Sequence, residues 1–250
     1  MNPNGPAFLV STIARMLAGR KHVAVGANSP IPASAALLAR SLSGGTMRVS
    51  IIGSRRFSSV TGLADLFDCA TTGRLDAFFL SPGQIDGQAN INMIGVGEYP
   101  RMKVRWPGSH GSPLVYMMIP NIILFRPDHL RRTLVPRVDF ISAPGTSPPN
   151  VFRPGGPSAL VTSLATFAFD RASARFRLDT AHPGHSEAEV RDNTGFDFDI
   201  APELRETPPP SAAQLRAITE TAGREVAEIY PQFAERLVAE ARAACAAVPA

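Results

Sequence analysis

The sequence predicts an α/β fold: an open, mainly parallel sheet with flanking helices and added short antiparallel strands. Three observations carry this expectation. Short β-branched segments alternate with helical segments over residues 1–80, the pattern of βαβ crossovers that join parallel strands. Glycine or proline punctuates these segments, and the chain holds 20 Gly and 23 Pro. After residue 80 the texture changes to short strands separated by turn residues, as hairpins require.

In order, Pro6–Leu17 sets Phe8, Leu9, Ile13, Met16 and Leu17 at helical spacing. His22–Val25 reads as a strand closed by Gly26, and Ala33–Leu42 as a small-residue helix broken by Gly44-Gly45. Val49–Ile52 is a second strand, Leu63–Ala70 a helix and Asp76–Leu80 a third strand. Asp86-Gly87 is a turn pair, followed by alternating Asn90, Ile91 and Asn92. Val104–Trp106, Val115–Ile119, Ile122–Phe125 and Val138–Ile141 are expected as short strands. Residues 145–157 form a Pro- and Gly-rich loop. Ala159–Phe169 and Phe176–Thr180 are expected to pair around a turn at 170–174. Ser211 caps a helix to about Ala222. Pro231 opens a last helix whose Phe233, Leu237, Val238 and Ala241 face its own core or a partner chain. Two parts result: an α/β domain over 1–210 and a helical extension over 211–250.

At 250 residues with 44% hydrophobic content, the chain can bury about three quarters of its extended surface. Charged residues make up only 18%, which excludes an intrinsically disordered chain. Basic residues number 25 against 21 acidic, with one Trp and three Tyr and no basic run longer than two. A nucleic-acid binder clusters its cations on one face, so no nucleic-acid partner is expected. A small anionic ligand fits the mild excess better. The two cysteines, Cys69 and Cys245, show no zinc spacing. The N-terminus MNPNGPAFLV lacks a charged start and apolar core, and no apolar run reaches the about 18 residues of a membrane span. The expectation is a soluble, cytoplasmic protein without a membrane partner.

The middle of the chain carries an ordered set of short motifs. Gly83-Gln-Ile-Asp86, Asn90-Ile-Asn92, Gly97-Glu-Tyr99, Lys103-Val-Arg105 and Gly108-Ser-His-Gly-Ser112 come first. Arg131-Arg132, Val138–Gly145, Gly156-Pro157, Leu160–Thr162, His182–Gly184 and Asp192–Asp199 follow. In order and spacing this set resembles the β subunit of family I CoA-transferases, most closely the glutaconate kind. It is similar also to the β subunit of the steroid ring-opening β-ketoacyl-CoA hydrolases. The resemblance covers roughly residues 8 to 215. It implies an open α/β sheet, an α partner subunit in a heterodimer or heterotetramer, and an active site where the two subunits meet. It implies a coenzyme A thioester as substrate, with no metal and no further cofactor. In that family a glutamate of the β subunit attacks the thioester to form an anhydride, then an enzyme–CoA thioester. Covalent exchange of this kind gives ping-pong kinetics.

This sequence departs from the pattern at one place. The family's glutamate follows the second parallel strand; here the corresponding turn reads Gly53-Ser54-Arg55-Arg56, and no Asp or Glu occurs between Met47 and Leu63. Three readings stay open. The chain belongs to a hydrolase or ring-opening enzyme whose partner supplies the carboxylate. It transfers CoA, with Glu98 or a partner residue as nucleophile. Or it is an acyl-CoA-binding or structural subunit without chemistry of its own. Ser54, Arg55 and Arg56 at the vacated turn suit a substrate carboxylate, since guanidinium forks match it bidentately; as solvated loop residues they fit equally well.

Other candidates follow from position. Gly108, Ser109, Gly111 and Ser112 occupy the place of the family's glycine-rich loop, whose backbone N–H groups stabilise a thioester oxyanion. His110 stands where the family has glycine and is a candidate general base, or a capped loop histidine. Glu98, between Gly97 and Tyr99, either orients substrate or serves as a turn acid. Asn90 and Asn92 share a strand face and either contact substrate or bond across strands. Asn28 and Ser29 lie in the loop after the first parallel strand, where such folds line their ligand crevices. His182 and His185 lack a third ligand at fixed spacing, so a loop is expected rather than a metal site. Asn193–Asp199 is expected as the last edge strand, with Phe196 and Phe198 in the core.

Overall fold

The computed structural model describes residues 5–58 and 62–246. Two compact units emerge: 1–66 with 75–77 and 208–250, and 67–74 with 78–207. The segment from Pro208 onward thus folds with the N-terminal residues. The expectations at Met1–Asn4 and for the last four residues lie outside the described residues.

The first unit opens with α1 (Pro6–Met16), whose first turn carries proline, where a missing N–H costs nothing. Its orphaned Ala7 amide donates to Glu240, far along the chain. Strand β1 (His22–Val25) leads into α2 (Pro30–Leu42) and then β2 (Arg48–Ile51). The two strands pair in parallel, Val23 beside Val49. On its other side β1 pairs in parallel with Ala77, the start of β3 (Ala77–Leu80); α3 spans Leu63–Thr71. Phe8, Leu9, Ile13, Leu17, Leu37 and Leu38 are fully buried, each worth about 1.5–3 kcal/mol.

In the second unit two ribbons come first: β4 (Gln84–Ile85) with β5 (Ile91–Asn92), and β6 (Gly95–Val96) with β7 (Val104–Arg105). Then follow α4 (Ser112–Met118), β8 (Asn121–Phe125), β9 (Pro157–Val161), β10 (Ala165–Asp170), β11 (Arg175–Ala181), α5 (Glu187–Asn193) and β12 (Asp199–Glu206). The strand order here is β3-β8-β9-β10-β11-β12. Pairing is parallel for β8–β9 and β11–β12 and antiparallel for β9–β10 and β10–β11. Phe167 meets Phe176 and Phe198 edge-on at centroid distances of 6.1 and 5.2 Å. The fold class is as expected: a mainly parallel sheet with helices and small antiparallel additions.

The first unit is completed by α6 (Ala212–Ala217), a π-helical turn at Ile218–Ala222, α7 (Gly223–Val226) and α8 (Pro231–Ala246). Ser211 and Gln214 form a reciprocal capping box. On α8, Phe233, Ala234, Leu237 and Ala241 are buried within the chain, so this face belongs to its own core.

Several expectations are corrected. The run at 115–119 is helical, not a strand: Pro113 presets the first turn of α4, and Val115 and Tyr116 form its buried face. Short apolar runs do not distinguish the two states. Residues 138–141 form no strand. There the Asp139 amide donates to Gln84 and its carboxylate accepts from Gly97, so side chains replace a ladder. The expected single strand 159–169 is two, because the Thr162 hydroxyl accepts the Leu164 and Ala165 amides and turns the chain. The edge strand lies at 199–206 rather than 193–199; ahead of it α5, for which no element was expected, starts at the Ser186 cap.

Candidate active site

The bend after β2 is the place where the family's nucleophile would stand. The Ile51 amide donates to the Phe57 carbonyl at 2.8 Å and that of Ser54 to Ile51 at 3.0 Å, closing a tight loop. Gly53 adopts φ +96°, which glycine tolerates. The bend lacks an acid of its own, yet a carboxylate sits on it. Glu228, in the link between α7 and α8, accepts from the Ser54 hydroxyl at 2.7 Å, the Arg55 amide at 2.7 Å and the Arg56 amide at 3.3 Å. These hydrogen bonds, that of Ser54 foremost, hold the Glu228 carboxyl below the usual carboxylate range.

The two arginines differ. Arg56 pairs at 3.0 Å with Glu225, whose side chain is only 6% exposed, and Arg40 approaches the same oxygen at 3.6 Å. Arg55 is exposed, and among the described residues its guanidinium makes no hydrogen bond or close ion pair, only a through-space attraction to Glu228. Arg55 is therefore the cation of this pair open to a ligand. The neighbouring loop after β1 is held by the same C-terminal segment: the Ser29 amide donates to the Tyr230 hydroxyl at 3.1 Å. Asn28 is exposed with φ 53°. The structure thus brings Ser29, Ser54, Arg55 and Arg56 together with Glu225, Glu228 and Tyr230. Sequence reading missed these last three. Their only signal is spacing on a helical segment, and nothing local says which loops they reach.

In the second unit the loop Gly108–Ser112 leads into α4. Gly108 has φ +107° and His110 φ +45°. His110 is exposed. A Cβ at Gly111 would lie 1.9 Å from the Phe67 ring, so a side chain there displaces that ring. The Ser112 amide donates to the Ser109 carbonyl at 2.8 Å. Glu98 is exposed at the tip of the β6–β7 ribbon. Asn92 is fully buried, donating to Gln84 and the Gly95 carbonyl at 2.7 Å each and accepting from the Ile94 and Gly95 amides. Asn90 donates to Asp86 at 3.0 Å and accepts the Gly145 amide at 3.1 Å. Both asparagines thus spend their side chains on binding strands and loops together.

His182 is buried, bonded through its two nitrogens to the Thr207 hydroxyl and the Thr162 carbonyl. His185 faces Glu189 at 3.0 Å. Among the described residues no group of three or more His, Cys, Asp or Glu is placed to hold a metal, and no helix is long and apolar enough to cross a membrane.

The chain is similar to known proteins. The family model for coenzyme A transferase matches residues 4–193. The B-subunit of 3-oxoadipate CoA-transferase from Pseudomonas knackmussii is 32% identical over 162 residues, 62% of this chain and 62% of that one. The B-subunit of glutaconate CoA-transferase from Acidaminococcus fermentans is 30% identical over 145 residues, 55% of this chain and 54% of that one. The matched stretch therefore spans less than two thirds of these relatives. Among solved structures, the decarboxylase AibA/AibB is similar with a TM-score of 0.73 at 24% identity, over 93% of this chain and 98% of that one. That last likeness is one of fold. With the family model matched over well more than half of its residues, the chain belongs to the coenzyme A transferase family.

Proposed function

We propose that this chain is the β-like subunit of a heteromeric enzyme that acts on an acyl-CoA thioester. The reaction is hydrolysis or ring opening of a β-ketoacyl-CoA, with the reacting carboxylate supplied by an α subunit. One observation carries the reading: the bend Gly53–Phe57 has no acid of its own, and the carboxylate that sits on it, Glu228, is tied by Ser54, Arg55 and Arg56. A carboxylate committed to three donors braces a loop; it is a poor nucleophile because those donors stabilise its charge. In this reading the Gly108, Ser109 and Gly111 backbone N–H groups are offered to the thioester oxygen, while Ser112, its amide bonded to Ser109, closes the loop. Exposed His110 acts as general base. In the first unit Arg55 engages a substrate carboxylate beside Asn28 and Ser29; in the second, Glu98 orients substrate, and Asn90 and Asn92 hold the supporting strands. No metal or additional cofactor takes part.

Transfer of CoA to a carboxylic acid is the second reading, favoured by what the two relatives named above are called. The chain is purified alone and with its α partner, and acyl-CoA loss is followed with and without an acceptor acid. Acceptor-independent release of free CoA, only with the partner present, is the expected outcome. Acceptor-dependent exchange, with labelled CoA becoming attached to this polypeptide, would establish transfer instead.

A further inference from the structure

We propose that the cavity behind Arg56 is a phosphate-binding site, and that it takes the phosphorylated ribose end of the CoA thioester. This rests on the reading of the substrate given above. The cavity measures about 430 Å³ and is lined by Arg40, Arg48, Arg56, Gly45, Thr46 and Phe57, among others. Among the described residues no Asp or Glu lines it.

The charge balance singles it out. Three arginines line it, and the acid paired with two of them, Arg40 and Arg56, is Glu225. One carboxylate against three cations leaves an excess of two positive charges. Arg48 is exposed at the start of β2, the end strand of its sheet. Among the described residues it has no partner in the chain. A phosphate monoester matches such an excess because it carries nearly two negative charges near neutral pH. Guanidinium forks also fit its oxygens two at a time.

The site is built before a ligand arrives. Glu225 holds Arg40 and Arg56 through one oxygen, while its other oxygen is buried without a hydrogen bond among the described residues. Both guanidinium groups also lie over the Phe57 ring, at 5.7 and 5.4 Å from its centroid. Two long side chains fixed this way lose little further freedom on binding. Gly45, at φ +81°, lines the cavity with backbone and no side chain; only Arg40 comes within 4 Å of a Cβ added there. Arg56 also belongs to the bend where Arg55 is proposed to engage a substrate carboxylate.

Calorimetric titration of the full chain with CoA, dephospho-CoA and inorganic pyrophosphate tests this. CoA is expected to bind about tenfold more tightly than dephospho-CoA, the size of one charge-assisted contact, with the advantage shrinking as salt is raised. Arg48→Ala removes that advantage, while Arg216→Ala, on exposed α6 surface, leaves it intact. Because Arg48 has no partner to lose, its variant keeps the wild-type melting temperature; Arg48→Glu deepens the defect. Equal binding of CoA and dephospho-CoA by the wild type would overturn the proposal, as would undiminished CoA binding by Arg48→Ala. Weakened subunit pairing in Arg48→Ala with CoA binding untouched would also overturn it, assigning the cavity to an acidic partner surface. Pyrophosphate binding that depends on Arg48, with no CoA binding at all, would keep the phosphate site and sink the CoA reading.

Discussion

The Ser54 hydroxyl donates to Glu228 at 2.7 Å across 174 residues of sequence, while its oxygen accepts the Phe57 amide at 2.9 Å. One serine thus closes the bend after β2 and ties it to the link between α7 and α8. The Glu228 carboxyl is held below its ordinary range, so its contribution to stability is complete at neutral pH. That contribution is lost as pH falls through the folded-state value. Glu228→Gln is therefore expected to melt below the wild type at neutral pH, with the gap closing in acid. Thermal melts between about pH 7 and pH 3 check this, and a gap independent of pH would show that charge is not what Glu228 contributes.

Arg55 and Arg56 are neighbours with opposite expected behaviour. Arg56→Ala strips a partner from buried Glu225 and should cost about 1–3 kcal/mol of stability, the penalty of a poorly compensated buried acid. Arg55→Ala should unfold at the wild-type denaturant midpoint yet raise the KM of the partnered enzyme about tenfold, as loss of a charge-assisted substrate contact would. Denaturant curves and steady-state kinetics on both variants separate the two roles.

His129 is buried between Thr162 and Thr194, at 2.7 and 2.9 Å. Burial pushes its imidazole down from 6.5 to about 4. A depressed histidine favours folding above the unfolded value and loses that contribution as pH drops from about 6.5 to about 4. The loss is on the order of 3 kcal/mol. His129→Gln should be less stable at pH 7 and change less between pH 7 and about pH 5 than the wild type. Urea midpoints at the two pH values decide it; an equal pH dependence in both proteins would assign the effect elsewhere.

A Cβ added at Gly111 would meet the Phe67 ring at 1.9 Å, so the ring must shift to admit it. Gly111→Ala should cost about 1–3 kcal/mol through overpacking. Adding Phe67→Ala should recover most of that clash, which a double-mutant cycle measures. Activity of the partnered enzyme should fall in Gly111→Ala more than stability alone explains, if the loop's amides face the thioester.

The helix–strand alternation over residues 6–80 was legible because each signal was local. His22–Val25 and Val49–Ile52 are β-branched and closed by glycine, and Phe8, Leu9 and Ile13 recur at helical spacing. Where the signal was not local, reading failed. Val115 and Tyr116 sit in a run too short to show its period, and β12 sits at the end of its sheet with mostly exposed residues, so its pairing leaves no apolar alternation to read. Asn90 and Asn92 looked equally fit to touch substrate or to bond across strands; only the positions of Asp86, Gln84 and Gly145 separate the two.

By itself the sequence determined the family, the order of the first three strands and the missing acid after the second of them, because motif order and residue type survive without coordinates. Tertiary structure alone decided what fills the vacancy. Glu225, Glu228 and Tyr230 reach the β1 and β2 loops from more than 160 residues away, and no local propensity encodes a contact whose partners meet only after the chain has folded.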